Sequence, residues 1–234
     1  MAQVNYQQRR QQIEHYFNRT AADVWARLTS DEPVSSIRET VRAGREEMRN
    51  TLLSWLPKDL SGRQVLDAGC GTGVISIELA KRGAEVIAVD LSQSLIQLAN
   101  ERYSTMDEYH RIQFLVGDMR QLEGERFDHV LAMDSIIHYS VTDGLRILEA
   151  LADNVDESMI FTFAPKTVPL TIMHAFGKLF PRADRAPAIE PVAPKSLTRS
   201  IAKSEVMKDW QVDRERRISS SFYTSQAMEL VRIC

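Results

Sequence analysis

The chain has 234 residues, enough for one α/β domain with a sizeable core or for two small ones. Its 29 basic and 32 acidic side chains leave a net charge of -3, which gives no general reason to expect a nucleic-acid partner. No stretch reaches the roughly 18–20 apolar residues of a membrane span, and two cysteines, Cys70 and Cys234, make no disulfide framework. A reducing, cytoplasmic setting is therefore expected. The opening "MAQVNYQQRRQQIEHYF" lacks the apolar centre of a signal peptide, so any membrane contact would be peripheral.

In chain order, Ile13, Phe17, Ala21, Val24 and Leu28 recur at helical spacing and predict an amphipathic helix over about residues 5–28. "SDEPVSS" breaks it. A second helix carries Ile37, Val41, Met48, Leu52 and Trp55 on one face, and "PKDLSG" ends it. From Gln64 the texture changes to short apolar runs alternating with helical stretches. Strands are expected at about 64–68, 85–89, 112–116, 127–133 and 158–163, with helices at 73–82, 94–103 and 143–153. This alternation predicts a doubly wound, mostly parallel sheet with helices on both faces. "WQVDRERRISS" and "SFYTSQAMELVRI" read as two adjacent strands, an antiparallel finish. Before them lies segment 165–195, which holds six of the eight prolines. The expected division is a helical arm and cofactor lid (1–60), a Rossmann-like core (61–164), an apolar acceptor lid (165–200) and the closing strands (201–234).

The stretch "QVLDAGCGTGVISIEL" carries the chemistry. Its glycines, Gly69, Gly71 and Gly73, follow G-x-G-x-G and not the G-x-G-x-x-G of dinucleotide sites. Asp67 stands at the mouth of the turn. A pyrophosphate wants a bare helix N-terminus, and Asp67 would repel it. A ligand with a cationic amine and no phosphate suits the turn better, and S-adenosylmethionine (SAM) is such a ligand. Its amino-acid end would lie over Gly69, Cys70 and Gly71. Asp90 ends the run "EVIAVD", where a carboxylate can take both ribose hydroxyls, with Leu91 beside it. Asp118 and Met119, after "VG", are placed to hold the adenine edge and face. Met133, in "VLAMDSIIHY", lies where a transferable methyl would point. Taken singly, Asp90 could be a helix N-cap and Asp118 a turn residue. Together they form one crevice at the carboxyl ends of four successive strands.

The core pattern resembles the class I methyltransferases. The flanks resemble one family within them: "IEHYFNRTAADVWARL", "VRAGREEMR", "AMDSIIHYS", "TFAPKT", "GKLFPR" and "FYTSQAMELV" are similar to the magnesium-protoporphyrin IX O-methyltransferases. The resemblance implies a seven-stranded fold with a 6–7 antiparallel hairpin. It also implies methylation of one propionate of a magnesium porphyrin in bacteriochlorophyll or chlorophyll synthesis, magnesium being part of the substrate alone. A partner it suggests is the large, porphyrin-carrying subunit of magnesium chelatase. A histidine in the loop after the fourth strand maps onto His138, with Tyr139 beside it. His138 could orient the propionate, ligate magnesium axially, or act as acid or base. Tyr16 is either a core aromatic or a cover over the cofactor, and Phe17 is expected in the core. Some relatives carry a tyrosine where this chain has Thr29, whose hydroxyl reaches less far. Arg38, Arg42, Arg45 and Arg49 form a helical stripe expected to be solvated, with Arg42 a candidate partner for the SAM carboxylate. Leu170, Ile172, Met173, Phe176, Leu179 and Phe180, near His174 and Lys178, suit a wide flat acceptor with acidic edges. Two alternatives stay open: a methyltransferase of hydroxylated aromatics such as quinone precursors, with His138 as base, and a non-catalytic porphyrin carrier.

Overall fold

The structure, a computed structural model, describes residues 5–19, 25, 29, 35–122, 124–166, 188–220 and 222–233. Seven strands form one sheet: β1 (Gln64–Ala68), β2 (Glu85–Asp90), β3 (Ile112–Val116), β4 (Phe127–Ala132), β5 (Val155–Phe163), β6 (Trp210–Ser220) and β7 (Tyr223–Arg232). Their spatial order is β3-β2-β1-β4-β5-β7-β6. The first five run parallel, and β7 inserts antiparallel between β5 and β6. The expected doubly wound sheet with an antiparallel finish is therefore the observed one. The fifth strand starts at Val155, three residues before its expected start, because the polar pair Asp156 and Glu157 hides the alternation there.

Buried side chains alternate between the two faces with the strand period of two. Leu66, Ile87, Val89, Val130, Met159 and Phe161 face one core layer. Val65, Val86, Ala88, Leu131 and Ile160 face the other. The first layer is closed by Ile147, Leu148 and Leu151 of α5 (Val141–Ala152), by Leu197 and Ile201 of α6 (Pro194–Lys203), and by Ile13 of α1 (Tyr6–Arg19). The second is closed by Met48 and Leu52 of α2 (Ser36–Trp55), by Ile75, Ile77 and Leu79 of α3 (Val74–Lys81), and by Tyr103 of α4 (Gln93–Tyr103). Ile37, expected on the buried face of α2, is exposed together with the rest of that helix's first turn. Gly44 lets α2 pass close to β7: a Cβ there would fall 2.6 Å from the Tyr223 ring.

Helix α1 is pinned at both ends. The Tyr6 hydroxyl donates to the Asp118 carboxylate at 3.0 Å, and the Arg9 guanidinium pairs with Glu190 at 2.7 Å. At the other end Asn18 Oδ1 accepts from the Ser92 hydroxyl at 2.9 Å, and Ser94 Oγ donates to the Asn18 carbonyl. Of the helix expected over 5–28, the described helical segment ends at Arg19, and Ala21, Val24 and Leu28 lie outside the described residues. The apolar segment 167–187, with all six residues named for the acceptor lid, also lies outside them. Among the described residues no helix is long and apolar enough to cross a membrane.

Candidate active site

Strand order reverses between β1 and β4, and at such a switch point the strand ends splay and leave a crevice. A cavity of about 240 Å³ opens there. Its walls come from the ends of β1 (Asp67, Gly69, Cys70, Gly71), β2 (Asp90, Leu91), β3 (Gly117, Met119) and β4 (Met133, Asp134, Ser135). His138 and Tyr139 in the following loop complete that side. More of the lining comes from Ile13 and Phe17 of α1, Trp25 and Thr29, and Arg42, Arg45 and Arg49 of α2.

The glycine turn is built for close approach. Gly69 has φ 82° and lies against the loop after β4, where an added Cβ would fall 2.3 Å from Ser135 Cβ. Gly71 has φ 55°, and a Cβ there would meet nothing within 4 Å, so its bare backbone faces open cavity. The Gly71 N–H donates to Asp90 Oδ2 at 2.9 Å and the Ser92 N–H to Asp90 Oδ1 at 2.8 Å. Asp90 thus ties the glycine turn to the end of β2 while keeping lone pairs for a ligand. Burial raises its pKa above the ordinary carboxylate value, and those backbone bonds oppose the shift.

Asp67 is 1% exposed. The Ser76 hydroxyl donates to its Oδ2 at 2.7 Å. Burial pushes its pKa up to about 7; the Ser76 bond opposes this and the Asp90 charge adds to it. A carboxyl so poised suits a cation: an ammonium would satisfy it where a phosphate would not. Burial, with the Asp67 and Asp90 charges, drives the Cys70 thiol well above its ordinary value, so Cys70 lines the cavity as a neutral group. An acid for an amine, a strand-end carboxylate with spare lone pairs, an open glycine cradle and the Leu91 and Met119 walls together fit SAM.

Asp118, Tyr16 and the arginines of α2 sit as follows. Asp118 does not line the cavity. Its oxygens accept from the Tyr6 hydroxyl and from Arg120, whose guanidinium lies 3.4 Å from the Tyr6 ring centroid. The contact spans 112 residues, so local spacing could not disclose it. Burial and the Asp118 charge raise the Tyr6 phenol to about 12, which keeps it a donor. Tyr16 is not in the cavity wall either; Phe17 is. The helical turn explains the exchange: Ile13 and Phe17 are four apart and share a face, and Tyr16 points about 100° away, packing edge-on to Phe17 at 5.2 Å. The α2 stripe is not a solvated face, since three of its four arginines reach the cavity.

His138 is buried, with Nδ1 3.4 Å from the Ala188 carbonyl oxygen and its ring 6.1 Å from Phe17. Tyr139 is 3% exposed and stacks on Tyr6 at 5.1 Å. Burial, and then the Tyr6 contact, raise its phenol far above the ordinary value, so it stays protonated. Thr29 Oγ1 donates to the Trp25 carbonyl and accepts from Thr72. Among the lining residues that sequence reasoning missed are Trp25, Asp134 and Ser135. Asp134 pairs with Arg45 and sits at φ 54°. "MDS" held a signal only as an acid two residues past a strand end. Among the described residues no group of three or more metal-binding side chains converges.

The strand order, the glycine turn and this cavity define a class I SAM-dependent methyltransferase. A family model for the methyltransferase domain matches residues 65–157, and one for the magnesium-protoporphyrin IX methyltransferase C-terminus matches residues 132–232. The chain is 44% identical to the magnesium-protoporphyrin O-methyltransferase of Rhodobacter capsulatus over 226 residues, 96% of this chain and 97% of that one. It is 32% identical over 230 residues to the corresponding Synechocystis enzyme, covering 94% and 95%. The crystal structure of a Synechocystis magnesium protoporphyrin IX methyltransferase with bound SAH superposes with a TM-score of 0.84 at 30% identity, covering 96% of this chain and 99% of that one. The chain belongs to the magnesium-protoporphyrin O-methyltransferase family.

Proposed function

We propose that this protein transfers a methyl group from SAM to one propionate carboxylate of magnesium-protoporphyrin IX, giving the monomethyl ester in the chlorophyll or bacteriochlorophyll pathway. The observation that carries the reading is one cavity walled both by the four strand ends and by the aromatic and arginine-bearing faces of α1 and α2. When bound, SAM supplies an electrophilic methyl group. The acceptor carboxylate is already ionised at neutral pH, so the chain needs no strong base. Its residues have to hold one oxygen in line and keep water out. In this reading Asp67 meets the cofactor ammonium, Asp90 the ribose hydroxyls, Arg42 the cofactor carboxylate, and Leu91, Met119 and Met133 pack about it. His138 positions the acceptor, and Tyr139 supports it as a protonated neighbour. The arm, residues 1–60, covers the cofactor, and segment 165–200 covers the macrocycle.

A poorly soluble substrate favours hand-over from a porphyrin-carrying protein, and the large subunit of magnesium chelatase is the partner proposed, at or near a membrane surface. The deciding assay supplies labelled SAM with magnesium-protoporphyrin IX, metal-free protoporphyrin IX or a hydroxylated quinone precursor, and reads the product by mass. One methyl on the magnesium porphyrin, labile to mild base, is expected; methylation of the quinone alone would overturn the reading. In the same assay His138→Ala is expected to lower turnover about 100-fold, the scale of misplacing a reacting group by about 1 Å, with SAH affinity unchanged by calorimetry. Equal turnover would remove His138 from the site.

A further inference from the structure

We propose that Arg45, held by Asp134 and Trp25, receives the acceptor carboxylate and gives the enzyme its selectivity for a free acid. The inference rests on the porphyrin reading and adds a residue that neither the motifs nor the comparisons assign.

Four observations converge on Arg45. Its side chain is 20% exposed and lines the cavity. Its guanidinium carbon lies 4.3 Å from the centre of the Trp25 ring, which fixes the plane of the fork. Its Nη1 donates to Asp134 Oδ2, whose side chain is 7% exposed. Asp134 is itself locked: its N–H donates to Thr162 Oγ1 at 2.8 Å, and that hydroxyl donates back to Asp134 Oδ1 at 3.3 Å. It is also the one non-glycine residue with positive φ among those described. Such strain persists where a surrounding network fixes it, and it clusters at functional sites.

Position separates Arg45 from its neighbours. Asp134 begins the loop that carries His138 and Tyr139, which line the same cavity. A guanidinium has five donors in a rigid fork, and one nitrogen is committed to Asp134. A propionate entering the cavity gives up water and needs a cation to compensate. A carboxylate is matched by a planar fork in a way that a point charge cannot reproduce. Asp134 shares the guanidinium charge. The arriving carboxylate is thus oriented without being fully neutralised, and its outer oxygen keeps the lone pair that attacks. A phenol or an ester could accept only a weaker bond, without the opposite charge and without the bidentate match.

The test compares magnesium-protoporphyrin IX with its dimethyl ester, which has no free carboxylate, by fluorescence titration of SAH-loaded protein. Wild type is expected to bind the acid at least about tenfold more tightly than the diester, the scale of one desolvated charge-assisted contact. In Arg45→Gln the preference is expected to fall below about twofold, with SAH affinity and diester affinity unchanged. Arg45→Lys, which keeps the charge without the fork, is expected to restore part of it and guards against a Gln variant that misfolds. Full preference in both variants overturns the inference, and so does loss of SAH binding in a folded Arg45→Gln, which would make Arg45 a cofactor residue. Wild type that binds neither porphyrin would instead bring down the porphyrin reading itself.

Discussion

Asp67 shows how one buried carboxyl ties cofactor affinity to pH. Burial holds its proton up to about pH 7 in the folded protein, whereas an unfolded aspartate loses it near about pH 3.9. Between those values the unfolded state binds fewer protons, so this group makes stability fall as pH rises from about 4 to 7. A cationic amine placed against Asp67 requires the ionised form. Binding below pH 7 must therefore expel a proton, and affinity for SAH should weaken as pH falls from 8 to 5.5, approaching about tenfold per unit. Asp67→Asn should bind more weakly at pH 8 and lose that dependence. Calorimetry across the range in buffers of different ionisation enthalpy would register the proton; a flat wild-type profile would remove Asp67 from the ammonium site. The need for an acid at this position was legible in the motif, because charge and spacing are local. The shift was not, because it comes from the enclosing strands.

Helix α1 reaches the cavity only through its docking. Its own sequence is mostly polar, with Ile13 its single buried residue, so propensity and core burial alone do not hold it. Tyr6 does more: it donates to Asp118, stacks on Tyr139 and lies under Arg120. Periodicity showed that α1 is a helix with an Ile13–Phe17 face. It could not show that Asp118, read as a cofactor ligand, anchors that helix, since the partners lie 112 residues apart. Tyr6→Phe removes one hydrogen bond to a buried carboxylate, a loss of about 1.5–3 kcal/mol. Because the bond holds an arm and not the sheet, the expected result is faster SAH release and faster proteolysis within the first 20 residues, with the core melting temperature unchanged. Stopped-flow release and limited trypsin digestion would measure both, and a release rate equal to wild type would show that α1 stays docked without Tyr6.

At the scale of the whole molecule, the sheet is stabilised far from the site. Its far edge is β6, whose central residues, Asp213 to Arg217, are all charged and whose ladder is bulged between Val212 and Glu215. An edge so marked resists pairing with another chain, and the apolar alternation that normally betrays a strand is lost there. One of these charges, Arg214, reaches across to the neighbouring strand. Glu229 of β7 is 2% exposed, and both its oxygens accept from Arg214, which also donates to the Trp55 carbonyl at the end of α2 at 2.8 Å. The contact joins β6, β7 and α2 at one point. Removing the arginine strands a buried carboxylate, and breaking such a pair costs about 3–5 kcal/mol when both partners are buried. Arg214 is 43% exposed, so water takes up part of that loss. For Arg214→Ala the expected loss is therefore smaller, about 2 kcal/mol, read as a lower urea midpoint with an unchanged slope. Arg214→Ala/Glu229→Gln should recover part of it, since the neutral amide can be buried at less cost. SAH affinity of the folded variants should equal wild type, because no residue of this triad touches the cavity. A midpoint unmoved by Arg214→Ala would show that this contact does not stabilise the sheet.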